Sequence, residues 1–365
     1  MKVHESFNMG LMWKVVCFSL VAYLIQHSIK VINTVGLFTP HRHNHEPGPC
    51  RLIPGIIYGS EDIHVLSNGI AVITAGLQSI DANASDDLRG FYMFDFNKPE
   101  KNITKLTMTG ELNIKDLAPH GFSLWTDKDT GKVTIFVVNH GSTTFGNESV
   151  EVFEFEQKTT SVHHIKTIRD SQFKRLNDIV ATSSKTFYAT NDCKYFQSGH
   201  KWGIESLLQT RFGNVVYYGG TMVQVVASGY VLPNGINLSP DHRTLYLTVS
   251  GEAQLVLFDR HEDNSLAEVK RVQLYMLPDN VNVMSDGSLW IAGIYRLIPS
   301  EEHGLMSAMV LHAKVNEDKE PVEFFEVYIN DGAVVSLSSV AAYYNEQLLI
   351  GTARNKLLYC EVKAF

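Results

Sequence analysis

The sequence predicts an all-β protein, a six-bladed β-propeller behind an N-terminal anchor helix. Three observations lead there. Strand-length apolar runs alternate with Gly, Asn, Asp and Pro turns over residues 50–365, and no long helical pattern intervenes. One short phrase recurs six times along that stretch. A cysteine stands near each end of it, Cys50 and Cys360.

The first element is the anchor, residues 1–32. Val15 to Ile25 is an apolar run broken only by Ser19, with Lys2 and Lys14 before it. Gln26-His27-Ser28-Ile29 follows and carries no small-x-small cleavage pattern, so an uncleaved signal anchor reaching Ile32, with Lys30 snorkelling, is expected over a cleaved signal peptide. Cleavage would make the protein secreted. Residues 33–49, rich in His, Pro and Gly, read as a solvated linker rather than a metal site, though His41, His43 and His45 could bind a metal loosely. Sequons at Asn83, Asn102 and Asn147 agree with a domain on the lumenal or extracellular side of the secretory pathway, in the endoplasmic reticulum or at the plasma membrane. Asn237, ahead of Pro240 in a strand-like stretch, is expected to be unused. The net charge of −8 is mild, and with no run of Lys or Arg no nucleic-acid partner is expected.

The propeller follows as residues 50–365. Its repeated phrase is a polar residue, a short apolar strand, a turn and a second apolar strand. Copies open at Glu61, His120, Asn177, Asn234, Asn280 and Ser339, spaced by 59, 57, 57, 46 and 59 residues. A four-stranded blade needs about 40–50 residues, so six blades close one ring. A large sandwich, the competing fold, predicts no such repetition. In an oxidising compartment a Cys50–Cys360 disulfide would fasten the ring where its two chain ends meet, leaving Cys17 in the anchor and Cys193 as a free thiol.

The phrase openers carry the chemistry. Innermost strands line a propeller's channel, so these residues converge on its axis. Glu61, Asn177, Asn234, Asp279 and Asn280 offer carboxylate and amide oxygens with no sulfur, a set that suits calcium, which takes about six to eight oxygen ligands. Asp62 and Asp178, each one residue further, could form a second, deeper site. His120 in Pro-His-Gly and His140 in Val-Asn-His-Gly flank that channel from the second copy, as a candidate catalytic pair.

Ser-Glu61-Asp62, Pro-His120-Gly, Val-Val-Asn-His140, Asn177-Asp178-Ile-Val, Phe-Tyr-Ala-Thr-Asn-Asp192, Asn234-Gly-Ile-Asn-Leu-Ser-Pro-Asp and Leu-Leu-Ile-Gly-Thr stand in order along the chain. Together they resemble the motifs of the paraoxonase/arylesterase family. The resemblance implies two calcium ions in the tunnel. It assigns Glu61, Asn177, Asn234, Asp279 and Asn280 to the catalytic ion, and Asp62, Asp178 and the Phe122 carbonyl to a structural one. It implies a His120–His140 dyad that activates water, with Asp279 or Glu61 as alternative bases, and a Cys50–Cys360 disulfide. The activity it implies is hydrolysis of lactones and aryl esters, in some members organophosphates.

The pocket departs from the family's pattern. Leu77-Gln78-Ser79 stands for Leu-Lys-Tyr, Leu232 for an aromatic residue and Cys193 for a histidine. Gly293-Ile294 replaces a cysteine–histidine pair, and Tyr195 to Leu208, around Trp202, reads as an amphipathic helix at the tunnel mouth. These changes leave a second reading open: a non-catalytic accessory or chaperone protein with a membrane-protein client such as an ion channel.

Overall fold

Strands that are apolar on both faces must be sandwiched between two neighbours, and that requirement explains the architecture. In the strand Ile70–Ala75 every residue is buried. Val72 packs with Phe91, Phe122 and Ile135, while Ala71 and Ile73 turn the other way onto Val340 and Leu349. The period-two alternation therefore feeds two cores at once. Six such cores form, one between each pair of adjacent sheets.

The computed structural model describes residues 9–40, 42–77, 88–141, 148–194, 205 and 207–363. Gln78, Ser79, Asn83, Asn147, His41 and most of the 195–208 segment lie outside them. Six antiparallel sheets make the blades. Their inner strands are Ile63–Val65, Pro119–Thr126, Leu176–Ala181, Pro233–Leu238, Leu277–Val283 and Ser338–Tyr344. Each touches the inner strand on either side, and the circle closes between the first and the last. Blade 2 carries an additional edge strand, Thr107–Thr109, parallel to Ser161–Ile168.

Blade 6 is assembled from both chain ends. Cys50–Ile53 pairs with Leu357–Glu361, Cys50 lies opposite Cys360, and the two are disulfide-bonded across 310 residues. Such a bond stabilises by about 2–5 kcal/mol, chiefly by restraining the unfolded chain.

The N-terminal helix spans Met9–Val35, and within it Met12–Val35 is long and apolar enough to cross a membrane. Its last turns rest on the blades: His27 Nε2 donates to Leu207 O at 3.0 Å, Leu297 N to Val35 O at 3.1 Å, and Lys30 lies 4.0 Å from Glu252. The segment after it does not hang free. His45 and Ile329 exchange backbone hydrogen bonds of 3.0 Å, and His45 Nε2 donates to Glu326 O at 2.6 Å. Glu361 N donates to Pro49 O and Lys363 N to Pro47 O, so residues 47–49 extend the edge pairing that closes the ring, while His45 is tied to blade 5. Asn102 is exposed.

Candidate functional site

Each inner strand enters the sheet by the same step. Ile63, Phe122, Ile179, Ile236, Val281 and Val340 occupy equivalent positions against the second strands of their blades. In blades 2 to 6 the register shifts immediately before that residue. A bulge there re-aims side chains that the pleat would otherwise alternate. Two residues upstream stand Glu61, His120, Asn177, Asn234, Asp279 and Ser338, and one upstream stand Asp62, Gly121, Asp178, Gly235, Asn280 and Ser339. This corrects the sequence phasing in blades 5 and 6, where Asp279 and Ser338, not Asn280 and Ser339, are the equivalents of Glu61. In those two blades two polar residues stand in succession, Asp279-Asn280 and Ser338-Ser339, and spacing alone does not pick the first.

Two glycines let the blades meet here. A Cβ on Gly121 would lie 2.4 Å from Asp178 Oδ1, and one on Gly235 would lie 2.6 Å from Asn280 Cα. Threonines of the second strands then tie the ring together. Thr74 Oγ1 donates to His120 O at 3.0 Å and Thr190 Oγ1 to Asn234 O at 2.8 Å, while Thr248 Oγ1 donates to Asp279 O. Ser339 Oγ closes the series onto Glu61 O at 2.7 Å. Asp62 Oδ2 accepts from Phe122 N at 2.9 Å and Asp178 Oδ2 from Ile236 N at 2.8 Å, so these two carboxylates also bind their blade to the next.

The electrostatics around the axis are one-sided. Burial, and then Asp62, push the Glu61 carboxyl up to about 8. Burial with Asp62 raises Asp178, and burial with Glu61 raises Asp279. Glu61 Oε2, Asn234 Oδ1 and Asn280 Oδ1 are buried oxygens with no hydrogen-bond partner. Acceptors left unpaired in a protein interior are costly. Three of them, from blades 1, 4 and 5, beside mutually repelling carboxylates, fit a hard divalent cation. The expected ligands Glu61, Asn234, Asp279 and Asn280 thus come together. Asn177 is buried at the equivalent position of blade 3, and Phe122 is fully buried with its N–H on Asp62.

Beside this ring runs a chain of buried side chains. Glu61 Oε1 lies 3.3 Å from His120 Nε2, His120 Nδ1 lies 2.9 Å from His140 Nε2, and His140 Nδ1 lies 2.9 Å from Glu148 Oε2. Burial, followed by His140 and Arg175, lowers His120 to about 3, against the opposing pull of Asp192 and Glu148. Burial thus favours the neutral imidazole, which can accept a proton. Arg175 donates to Asp192 Oδ2 at 2.6 Å nearby, and burial nevertheless keeps the Asp192 carboxyl raised. Glu148 escapes a sequence reading because no other blade repeats a carboxylate at that place.

A scan against family models matches residues 43–362 to Arylesterase. The chain is 34% identical over 320 residues to serum paraoxonase/arylesterase 2 of Rattus norvegicus, covering 86% of this chain and 88% of that protein. It is 33% identical to serum paraoxonase/arylesterase 1 of Homo sapiens, with 86% and 88% covered. With serum paraoxonase/lactonase 3 of Mus musculus it shares 34%, with 87% and 90% covered. The chain belongs to the arylesterase family.

Among solved structures, a luciferin-regenerating enzyme superposes with a TM-score of 0.54 at 11% identity, covering 87% of this chain and 97% of that one. Regucalcin from Agrobacterium tumefaciens gives 0.51 at 14%, with 88% and 96% covered. At such identities the likeness speaks for the propeller alone. Within this arylesterase-family chain the departures are packed in. Gly293 abuts Leu277 O, where a Cβ would come within 2.1 Å. Cys193 is buried, and burial pushes its thiol up. Leu232 adopts a positive φ of 52°.

Proposed function

We propose that the chain is a calcium-dependent hydrolase of lactones and aryl esters, anchored in a membrane of the secretory pathway with its propeller lumenal or extracellular. The observation that carries this is the set of orphaned oxygens on Glu61, Asn234 and Asn280 beside a buried His120–His140 pair. The printed names of the relatives, arylesterase and lactonase, support the substrate class. Glu61, Asn177, Asn234, Asp279 and Asn280 would hold one calcium; Asp62, Asp178 and the Phe122 carbonyl would hold a second. Asn83, Asn102 and Asn147 would carry glycans. When bound, calcium supplies positive charge for the carbonyl oxygen of the substrate.

The chain's own residues then manage the proton. His120 Nε2 takes it from the attacking water as the water oxygen bonds to the carbonyl carbon, and returns it to the departing alkoxide or phenoxide oxygen as that C–O bond breaks. His140 holds the His120 ring in place from the opposite nitrogen.

The test uses the full chain in detergent, assayed on phenyl acetate and a γ-lactone with and without chelator. Activity should require calcium, and His120→Gln should lower kcat/KM by about 10²-fold or more while the calcium-induced rise in Tm persists. Unchanged turnover in His120→Gln would exclude the histidine as base. The rebuilt pocket wall at Gly293 and Cys193 favours a second reading, an accessory protein for a membrane-protein client. Under it calcium raises Tm and no substrate is turned over.

A further inference from the structure

We propose that Glu148 is a positioning residue for the water-activating histidines, and that it sets their tautomers. The inference rests on the hydrolase reading above for its consequence, but not for its geometry. Glu148 is 5% exposed and immediately precedes the strand Ser149–Glu156. Its Oε2 accepts from the backbone N–H of Leu176 at 3.1 Å. The same carboxylate meets His140 Nδ1 through both oxygens, at 2.9 and 3.1 Å.

Donor and acceptor roles then propagate. A carboxylate accepts, so the proton of His140 stands on Nδ1. Neutral His140 therefore offers a lone pair at Nε2, which takes a hydrogen bond from His120 Nδ1–H at 2.9 Å. The remaining nitrogen, His120 Nε2, is left bare, and it is the one that faces Glu61 across 3.3 Å. The base is thus presented to the channel by a carboxylate two rings away. The Leu176 contact adds precision, because it pins Glu148 to blade 3 immediately before Asn177 and Asp178. One side chain registers the histidines of blade 2 against the oxygen donors of blade 3.

Glu148→Gln tests this sharply. With the amide oxygen kept on Leu176 N–H at the place of Oε2, the NH2 takes the place of Oε1, 3.1 Å from His140 Nδ1. An N–H directed at that nitrogen drives its proton to Nε2. His120 is then forced to carry its proton on Nε2, where it can no longer act as base. In the calcium-loaded full chain, kcat should fall about 10²-fold with KM within about twofold, and Glu148→Asp should recover part of the loss. Ring ¹⁵N spectra of histidine-labelled protein, assigned with His140→Gln, should show Nδ1–H on His140 in the wild type and Nε2–H in Glu148→Gln. An unchanged tautomer, or wild-type kcat in Glu148→Gln, overturns the proposal. So does loss of the calcium-induced Tm rise in that variant, which would make Glu148 a structural brace of blade 3. If the wild type turns over no substrate, the hydrolase reading fails, and the tautomer measurement still decides the role of Glu148.

Discussion

Glu61 and Glu151 are two buried carboxylates, 2% and 0% exposed, and they are treated in opposite ways. Glu151 sits inside blade 2 among donors: Thr167 Oγ1 at 2.5 Å, Ser149 Oγ at 2.7 Å, Asn139 Nδ2 at 3.0 Å and His164 Nε2 at 3.0 Å. Burial works to raise its carboxyl, yet those bonds, Thr167 first, hold it below the ordinary value. Glu61 has an orphaned Oε2 and acidic neighbours, and is pushed up to about 8. Burial alone therefore does not distinguish a structural acid from a functional one. The number of donors supplied does: a fold that needs a carboxylate saturates it, and a fold that keeps one for a ligand leaves it short.

The largest effects should come from neutralising each. Glu61→Gln removes a carboxyl that the metal-free fold can hold only by keeping it protonated, so the chelated protein should keep or gain Tm. Its hydrolysis should fall by about 10³-fold, because a cation ligand beside His120 is lost. Glu151→Gln cannot accept from all its donors and should lose about 3 kcal/mol of stability in urea unfolding, with a far smaller effect on turnover per folded molecule. If Glu61→Gln destabilised the chelated protein as much as Glu151→Gln does, the contrast would be broken.

The pH dependence of stability separates the two next. A group whose pKa is raised on folding contributes its stability below the unfolded value, near 4.5, and loses it as pH rises through the folded value. For Glu61 that window runs from 4.5 to about 8. A group whose pKa is depressed contributes above its unfolded value and loses stability as pH falls through the folded one, so Glu151 acts below 4.5. His120, lowered to about 3, works against Glu61 up to the histidine's unfolded value of 6.5. Chelated protein should therefore lose Tm most clearly between pH 6.5 and about 8 and again below 4.5. Calcium should abolish the alkaline decline and leave the acid one. A Tm gain from calcium that does not grow between pH 5 and 8 would count against the assignment of Glu61 as a ligand.

The same contrast explains what was legible in the sequence. The propeller, the disulfide and the oxygen ring were readable because six copies of one phrase mark equivalent positions, and a polar residue opening an apolar strand is conspicuous. Asp279 is the exception: Asp279-Asn280 puts two polar residues in succession, and spacing alone does not pick the first as the opener. Glu148, Glu151 and the threonines were silent. Thr74, Thr190 and Thr248 look like ordinary strand residues, since Thr favours strands whether or not its hydroxyl has a task. Glu148 and Glu151 sit in a run, Glu-Ser-Val-Glu-Val-Phe-Glu-Phe-Glu, whose alternation suggests a solvated face. Only the fold reveals that Glu151 is wholly buried and that Glu148 reaches His140.

The smallest effect expected tests whether the ring's geometry depends on its threonines. Thr190 Oγ1 accepts from Asp178 N at 3.0 Å and donates to Asn234 O at 2.8 Å, joining the backbone of Asp178 in blade 3 to that of Asn234, an orphaned-oxygen residue of blade 4. Thr190→Val keeps the shape and removes both bonds, leaving one buried N–H and weakening the hold on one carbonyl. The stability cost should be about 1–2 kcal/mol, well below that of Glu151→Gln, because no charge is stranded. Since Asn234 and Asp178 each lose one tie to the ring while Asp178 keeps its bond to Ile236 N, the calcium midpoint read from Tm against free calcium should also rise several-fold. Loss of stability without any change in that midpoint would show that the bulged backbone places the oxygens unaided, and that the threonines serve only the fold.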